Sequence, residues 1–358
     1  MKLLITSNPG LENIVAEEIA SLLGLNINDA NLKIYMPVRG RIVVDIPINL
    51  SVDKLFEPVM QLKSTHKVSI LLVEENISKT VEGLKEIYEI TSSAKISNFL
   101  NENISFAIRA ERIGSHEFTS LDVAKYAGQA IVDLTKKKFG TRSPVNLNHP
   151  AVIFDALVID NKYYFALRIS GEESLHRRGY RVYDHPAALK PTIAYGMLKI
   201  AELKDGETLL DPMCGGGTIV IEAVRNYRLR NVYCMDISPK HLKGAVMNAI
   251  ASSVYSKINF ILGDARKVDE YVKEYIDVIV TNPPYGIRML RQKYLRTLYL
   301  DFLKSSRNIL SSKGRIVVIT SEYVLFKKEA EKLGYKIAYK RKVLHGNLEV
   351  EIIKIVPK

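Results

Sequence analysis

The sequence predicts an α/β chain in two halves, an α+β region up to about residue 170 and a doubly wound parallel sheet after about residue 191. Three observations carry this. Strand-like and helix-like patterns alternate regularly from Thr192 onward, the signature of parallel strands joined by covering helices. The first 75 residues run strand, helix, two strands, helix, strand. A glycine-rich turn, Asp211-Pro212-Met213-Cys214-Gly215-Gly216-Gly217-Thr218, joins an apolar strand to a helix, and ligands bind at such junctions. At 358 residues the chain also exceeds a comfortable single core, so several domains are expected.

The elements follow from local patterns. Residues 2–7 alternate as a strand, Asn8-Pro9-Gly10 is a turn, and apolar positions at 11, 14, 15, 19, 22 and 23 make a helical stripe closed by Gly24. Strands over 32–38 and 41–46 meet at Arg39-Gly40, a hairpin signal. A helix over 52–62 and a strand over 67–73 complete a split-βαβ, ferredoxin-like order. From about residue 76 a second unit begins, with helices over 81–88 and 95–100 and a strand over 104–110. A helix over 121–138 follows, which Ser120 can cap. Strands over 152–159 and 162–169 turn at Asp160-Asn161. The expected domains are therefore 1–75, 76–170, a linker over 171–190 and a catalytic domain over 191–358.

The bulk properties narrow the partners. A net charge of +12 and a pI near 9.4 favour a polyanion. The two cysteines, Cys214 and Cys234, make no disulfide framework, and the seven scattered histidines have no ligand spacing, so no metal is expected. No apolar run reaches the ~20 residues of a membrane span, and the N-terminus turns polar at Thr6, too soon for a signal peptide. A cytoplasmic protein in a reducing compartment is expected, as a monomer.

In the C-terminal half three strand ends carry acids. Asp211 opens the glycine-rich turn, where the backbone can approach a ligand closely. Asp236 lies 19 residues beyond Gly217, near the ~20-residue spacing of an acid that bonds ribose. Asp264 follows Gly263, placed to accept from an adenine amino group. The turn lacks G-x-G-x-x-G spacing, which argues against a dinucleotide. Cys214 has no base beside it in sequence and reads as a small buried thiol.

Two motifs carry a resemblance. Asn282-Pro283-Pro284-Tyr285, after the apolar run 276–280, resembles the catalytic motif of S-adenosylmethionine (AdoMet)-dependent methyltransferases acting on exocyclic amines of nucleobases. The stretch from Phe106 to Ser120 resembles the middle of a THUMP domain, as do Gly128-Gln129-Ala130-Ile131, 145–150 and 175–181. Together they resemble the THUMP-class tRNA guanosine-N2 methyltransferases. The resemblance implies a Rossmann-fold AdoMet domain preceded by a ferredoxin-like and THUMP region that holds the acceptor stem and 3′ end of tRNA.

It also implies roles. Thr192, Asp211, Met213, Cys214, Gly215, Gly217, Asp236, Asp264 and Asn282 would meet AdoMet, with Thr192 over its methionine end or else capping its own helix. Asn282 and the Pro283 carbonyl would accept from the amine, Pro284 would stiffen the loop, and Tyr285 would stack on an extruded base. Arg109, Arg112, Lys136, Lys137, Lys138, Arg177, Arg178, Arg181, Arg288 and Arg291 are the candidate RNA contacts, each open to a solvated or capping role instead. The Asp-Pro-Met-Cys turn with an Asn-led proline motif looks like the group that modifies position 6. A position-10 enzyme, a 23S rRNA methyltransferase and an RNA-binding protein with a vestigial fold stay open.

Overall fold

The computed structural model describes residues 1–27, 32–46, 52–96, 98–284 and 292–358. The chain divides into two compact units, Met1–Ser7 with Val15–Leu175, and Asn8–Ile14 with His176–Lys358.

The first unit is built on one seven-stranded sheet. Its elements are β1 (Lys2–Ser7), α1 (Glu12–Leu22), β2 (Lys33–Val38), β3 (Arg41–Asp45), α2 (Val52–Met60), β4 (Thr65–Asn76), α3 (Gly83–Ser93), β5 (Phe106–Ile113), α4 (Ser120–Phe139), β6 (Val152–Ile159) and β7 (Lys162–Arg168). The strand order is β2-β3-β1-β4-β7-β6-β5, so the ferredoxin-like part and the part that follows share a sheet through the antiparallel β4–β7 pair. Both expected hairpins form. Gly40 adopts φ +81° between β2 and β3, and Asp160 φ +51° between β6 and β7, the left-handed conformation that tight turns of this kind need.

The main core of this unit packs its helices on the sheet, and a smaller cluster, Leu4, Val43, Leu157, Ile159, Tyr164 and Ala166, is separate from it. Val15 and Ile19 of α1, Leu55 and Val59 of α2, Ile87 of α3 and Ala127 and Ile131 of α4 pack with Ile5, Val68, Phe154 and Phe165 of the sheet. Each fully buried aliphatic side chain contributes about 1.5–3 kcal/mol. Two local expectations are corrected. No described residue between Lys95 and Leu100 is helical; Ile96 and Leu100 are buried as single loop residues in the same core. The cap of α4 is Thr119, not Ser120, because Thr119 and Asp122 form a reciprocal capping box.

The second unit is the doubly wound sheet, with the order β10-β9-β8-β11-β12-β14-β13. It comprises α5 (Pro191–Ile200), β8 (Thr208–Asp211), α6 (Thr218–Asn226), β9 (Asn231–Asp236), α7 (Pro239–Ala251), β10 (Asn259–Leu262), α8 (Val268–Tyr271), β11 (Ile276–Thr281), α9 (Gln292–Ile309), β12 (Leu310–Thr320), α10 (Tyr323–Lys332), β13 (Tyr335–His345) and β14 (Leu348–Pro357). Strands β8 to β12 are mutually parallel, and the β13–β14 pair adds antiparallel to β12. Alternation sends Val278 and Val280 into the core with α5, α6 and α7 and Ile279 into the core with α8, α9 and α10, which Ile276 joins across the register shift that precedes Val278.

This unit also takes in residues 8–14. Leu11 packs within about 3 Å of the position a Cβ would occupy on Gly196, the Pro9 carbonyl accepts from Leu344 N–H at 2.9 Å, and Asn8 Nδ2 donates to the Leu344 carbonyl at 3.2 Å. No helix among the described residues is long and apolar enough to cross a membrane.

Candidate active site

Because β8 to β11 are parallel, their carboxyl ends line up at one edge of the sheet, and a cavity of about 280 Å³ opens there. Asp211, Met213, Cys214 and Gly215 line it from the first turn, with Asp236 and Asp264 from the ends of β9 and β10. Asn282, Pro283 and Pro284 line it from the end of β11. Residues far apart in sequence thus meet as expected at this edge.

The glycine-rich turn is held by its own backbone. Cys214 N–H donates to the Met235 carbonyl at 2.9 Å and Gly217 N–H to the Cys214 carbonyl at 2.8 Å. Gly215 and Gly217 sit at φ +53° and +78°, where a side chain is strained. Their roles differ, however. Gly215 faces the cavity together with Gly216, whereas Gly217 caps α6 and lies where a Cβ would come 3.1 Å from Ala245 Cβ. Gly216, not Gly217, is the second glycine of the cavity floor; Gly217 serves close helix packing.

The acids differ in environment. Asp211 is fully buried, and burial pushes its carboxyl up to about 7, against the opposing pull of the Thr281 hydroxyl and the Met213 N–H. Asp236 accepts Gly215 N–H at 2.8 Å and Ser238 N–H at 2.8 Å, so this carboxylate ties the turn after β8 to the start of α7. Asp264 is paired with Arg266 at 2.6 Å, and those hydrogen bonds hold its carboxyl below the usual range. It is therefore an ionised acceptor. Cys214 is buried and free, with its thiol pushed well up by burial and then by Cys234, the environment of an inert structural thiol and not of a nucleophile.

Thr192 is corrected. It does not line the cavity; it is fully buried, and its hydroxyl donates to Asn8 Oδ1 at 2.7 Å. Nor does it cap its helix, whose N-cap is Lys190. Other residues do reach the cavity without having been singled out: His185, Ile237, His241, Tyr294 and Leu298. Ile237 directly follows the expected ribose acid and is 63% exposed, an apolar surface beside the acids that a planar group could cover. Its position after Asp236 was the one local signal available.

The basic candidates separate into two kinds. Lys136, Lys137 and Lys138, in the last turn of α4, and Arg177 are exposed. Arg109 pairs with Glu172 at 3.0 Å and donates to the Leu147 carbonyl, and Arg112 donates to the Gly114 carbonyl. Arg178 and Arg181 are turned into the second unit. The Arg178 side chain is 10% exposed and lies 3.5 Å from Glu222, a carboxylate that also accepts from Tyr180 OH at 2.8 Å. Arg181 donates to the Leu189 carbonyl at 2.6 Å and to Thr218 Oγ1 at 3.3 Å. Both are corrected from RNA contacts to internal ties, Arg178 by its burial against Glu222 and Arg181 by the two bonds of its guanidinium within the fold. Tyr285, Arg288 and Arg291 lie outside the described residues.

Comparison with known proteins places this geometry. Residues 178–351 match the RMKL-like methyltransferase domain and residues 81–168 the THUMP domain. A protein of Archaeoglobus fulgidus named tRNA (guanine(6)-N2)-methyltransferase is 36% identical, over 97% of this chain and 90% of its own length. The protein of the same name from Methanocaldococcus jannaschii is 33% identical, over 97% of this chain and 98% of its own. The crystal structure of TrmN from Thermus thermophilus superposes with a TM-score of 0.82 at 26% identity, covering 100% of this chain and 99% of that one.

The cavity fits the cofactor of such enzymes. Gly215 and Gly216 line it with bare backbone, and at Gly215 the φ of +53° disfavours any side chain. Carboxyl groups stand at adjoining strand ends, where their oxygens suit a ligand with hydroxyl and amino donors.

Proposed function

The chain belongs to the family of THUMP-containing, AdoMet-dependent methyltransferases, and from that premise we propose that it methylates the exocyclic N2 of a guanosine at position 6 of the tRNA acceptor stem. The observation that carries this reading is the placement of Asn282, Pro283 and Pro284 on the same cavity as Asp211, Asp236 and Asp264. The relatives named for guanine(6) across nearly the whole chain support the position.

AdoMet, when bound, supplies the methyl group on a cationic sulfonium. Asp236 would accept from ribose hydroxyls and Asp264 from the adenine amino group, while a cationic sulfonium in the same cavity would favour the ionised form of the buried Asp211. The guanine amine is a poor nucleophile because its lone pair is delocalised. The Asn282 side-chain oxygen and the Pro283 carbonyl would accept hydrogen bonds from its two N–H groups, favouring a pyramidal nitrogen with the lone pair aimed at the methyl carbon. Pro284 restricts the loop, and Tyr285 would stack on the extruded base. Positioning and preorganised dipoles then account for the catalysis.

The same reading gives the first unit the RNA grip. Lys136, Lys137 and Lys138 are its exposed cations, with Arg109 and Arg112 as further candidates, and Arg177, Arg288 and Arg291 would add to the grip from the second unit's stretch of chain. The division of that unit at about residue 75 belongs to the proposal as well.

The test uses labelled AdoMet with tRNA transcripts carrying adenosine at position 6 or at position 10. Loss of labelling with the position-6 variant alone is expected. Loss confined to the position-10 variant would move the site there, and labelling of 23S rRNA fragments but no tRNA would overturn the substrate.

A further inference from the structure

His185, Ala187, Ala188 and Leu189 line the cavity from the stretch 183–189, which the proposed mechanism does not use. One buried amide holds it down. Asn248 of α7 accepts Tyr183 N–H at 2.8 Å and donates to the Tyr183 carbonyl at 3.0 Å and the Gly216 carbonyl at 2.9 Å. The Tyr183 ring lies directly on α7, 2.1 Å from where a Cβ on Gly244 would be, so glycine at that position lets the strap lie flat. Tyr183 OH and His241 Nδ1 are 2.7 Å apart. His241 stands edge-on to His185 with ring centroids 4.3 Å apart.

This packing puts His185 beside the glycine turn, its Nε2 3.7 Å from the position of a Gly215 Cβ, on the wall of the cavity that also holds Asp236. Its tautomer is fixed by the strap itself. Ala187 N–H donates to His185 Nδ1 at 3.0 Å, and the turn is closed by Ala188 N–H on the His185 carbonyl at 2.8 Å. A ring nitrogen that accepts cannot carry the proton, so the neutral ring bears it on Nε2. That N–H is a donor without a hydrogen-bond acceptor among the described residues.

We infer that His185 is a cofactor-positioning residue whose Nε2–H donates to a ribose hydroxyl of bound AdoMet, in concert with Asp236. The chemistry is complementary. Asp236 can only accept, so a hydroxyl that donates to it still has lone pairs seeking a donor. His185 supplies that donor from the opposite kind of group. Protonation would undo it, because Nδ1–H would then confront Ala187 N–H and a second cation would enter the cavity. Burial, and then His241, lower the His185 titration below the ordinary histidine range, while Asp236 and Asp184 pull it upward.

The inference rests on the AdoMet assignment, and the experiment separates the two. S-adenosylhomocysteine and 5′-methylthioadenosine, which keeps the ribose but lacks the amino-acid carboxylate, are titrated calorimetrically into the full chain and into its His185→Ala and His185→Gln variants. Failure of the unaltered chain to bind S-adenosylhomocysteine would remove the cofactor reading itself. With binding present, His185→Ala should weaken both ligands equally, by about tenfold, and His185→Gln, with an amide N–H near the Nε2 position, should recover most of it. A loss confined to S-adenosylhomocysteine would assign His185 to the carboxylate and overturn the ribose contact; no loss for either would overturn the inference altogether. Affinity of the unaltered chain should fall as pH drops through the His185 titration, and the Gln variant should lack that component. Should the Ala variant fail to fold, ¹⁵N spectra of the unaltered chain still decide, since a proton on His185 Nδ1 is incompatible with this assignment.

Discussion

The two sheets are each seven strands wide yet do different work. In the first unit most neighbours are antiparallel, so strand ends alternate between the two edges and no row of carboxyl ends forms. The helices pack with one main core, and the exposed cations sit at element ends such as the last turn of α4. In the second unit the parallel run β8 to β11 brings four carboxyl ends to one edge, and loops from each meet in one cavity. Parallel strands converge side chains on a point, as bond-making chemistry needs. An antiparallel sheet distributes charge over area, as a polyanion grip needs.

The largest effect that could break this contrast is at the point of convergence. Asn282→Ala should lower methyl transfer by about 10²–10³-fold, as for loss of one preorganised polar group, while changing AdoMet affinity less than about threefold; calorimetry beside labelled transfer checks both. A comparable loss of AdoMet binding would mean that Asn282 holds cofactor rather than amine.

Of similar size is the effect at the buried Arg178–Glu222–Tyr180 cluster. Arg178→Ala leaves a carboxylate buried without its cation, which costs about 3–5 kcal/mol, and urea unfolding should show it. Arg177→Ala, one residue away and exposed, should leave stability unchanged and weaken tRNA binding only. Equal stability of the two variants would contradict the inward placement of Arg178.

Asp211 gives a smaller, pH-dependent effect. Its carboxyl is raised from an ordinary value near 3.8 to about 7 in the fold, so the folded state binds its proton more tightly than the unfolded chain. Its contribution is therefore fully present below about pH 4 and lost as pH rises through about 7, by a few kcal/mol. Asp211→Asn should remove this component from the stability–pH curve of the ligand-free protein, measured by denaturant midpoints. An unchanged curve would show that the group is not buried as described.

The mildest test sharpens the other half. Replacing Lys136, Lys137 and Lys138 by Ala should weaken tRNA binding by about tenfold and flatten its salt dependence by up to ~3 in slope, without loss of AdoMet affinity. Surface substitutions are the right tool here. Deleting the first 170 residues would also strip Leu11 and Ile14 from the second unit's core.

What the sequence determined by itself is local. Alternation set the strands, and the hairpins at Gly40 and Asp160 followed from residues that tolerate positive φ. Asp211 and Asp236 fell at strand ends because each follows an apolar run directly, and Asp264 and Asn282 because each follows one after a single residue. Once the strands are parallel, those ends must be neighbours. Tertiary structure alone decided which side chains were already engaged. Thr192 was placed near a cofactor by its position in a motif, but its partner Asn8 lies 184 residues away. Arg178 and Arg181 read as an exposed basic cluster until Glu222, Thr218 and Leu189 claimed them. Gly216 and Gly217 are adjacent and chemically identical, and only the packing of α7 against the turn says which one faces the cavity. Backbone preference is written into a few consecutive residues. Whether a polar group meets solvent, ligand or a buried partner depends on atoms that the chain brings together only when it folds.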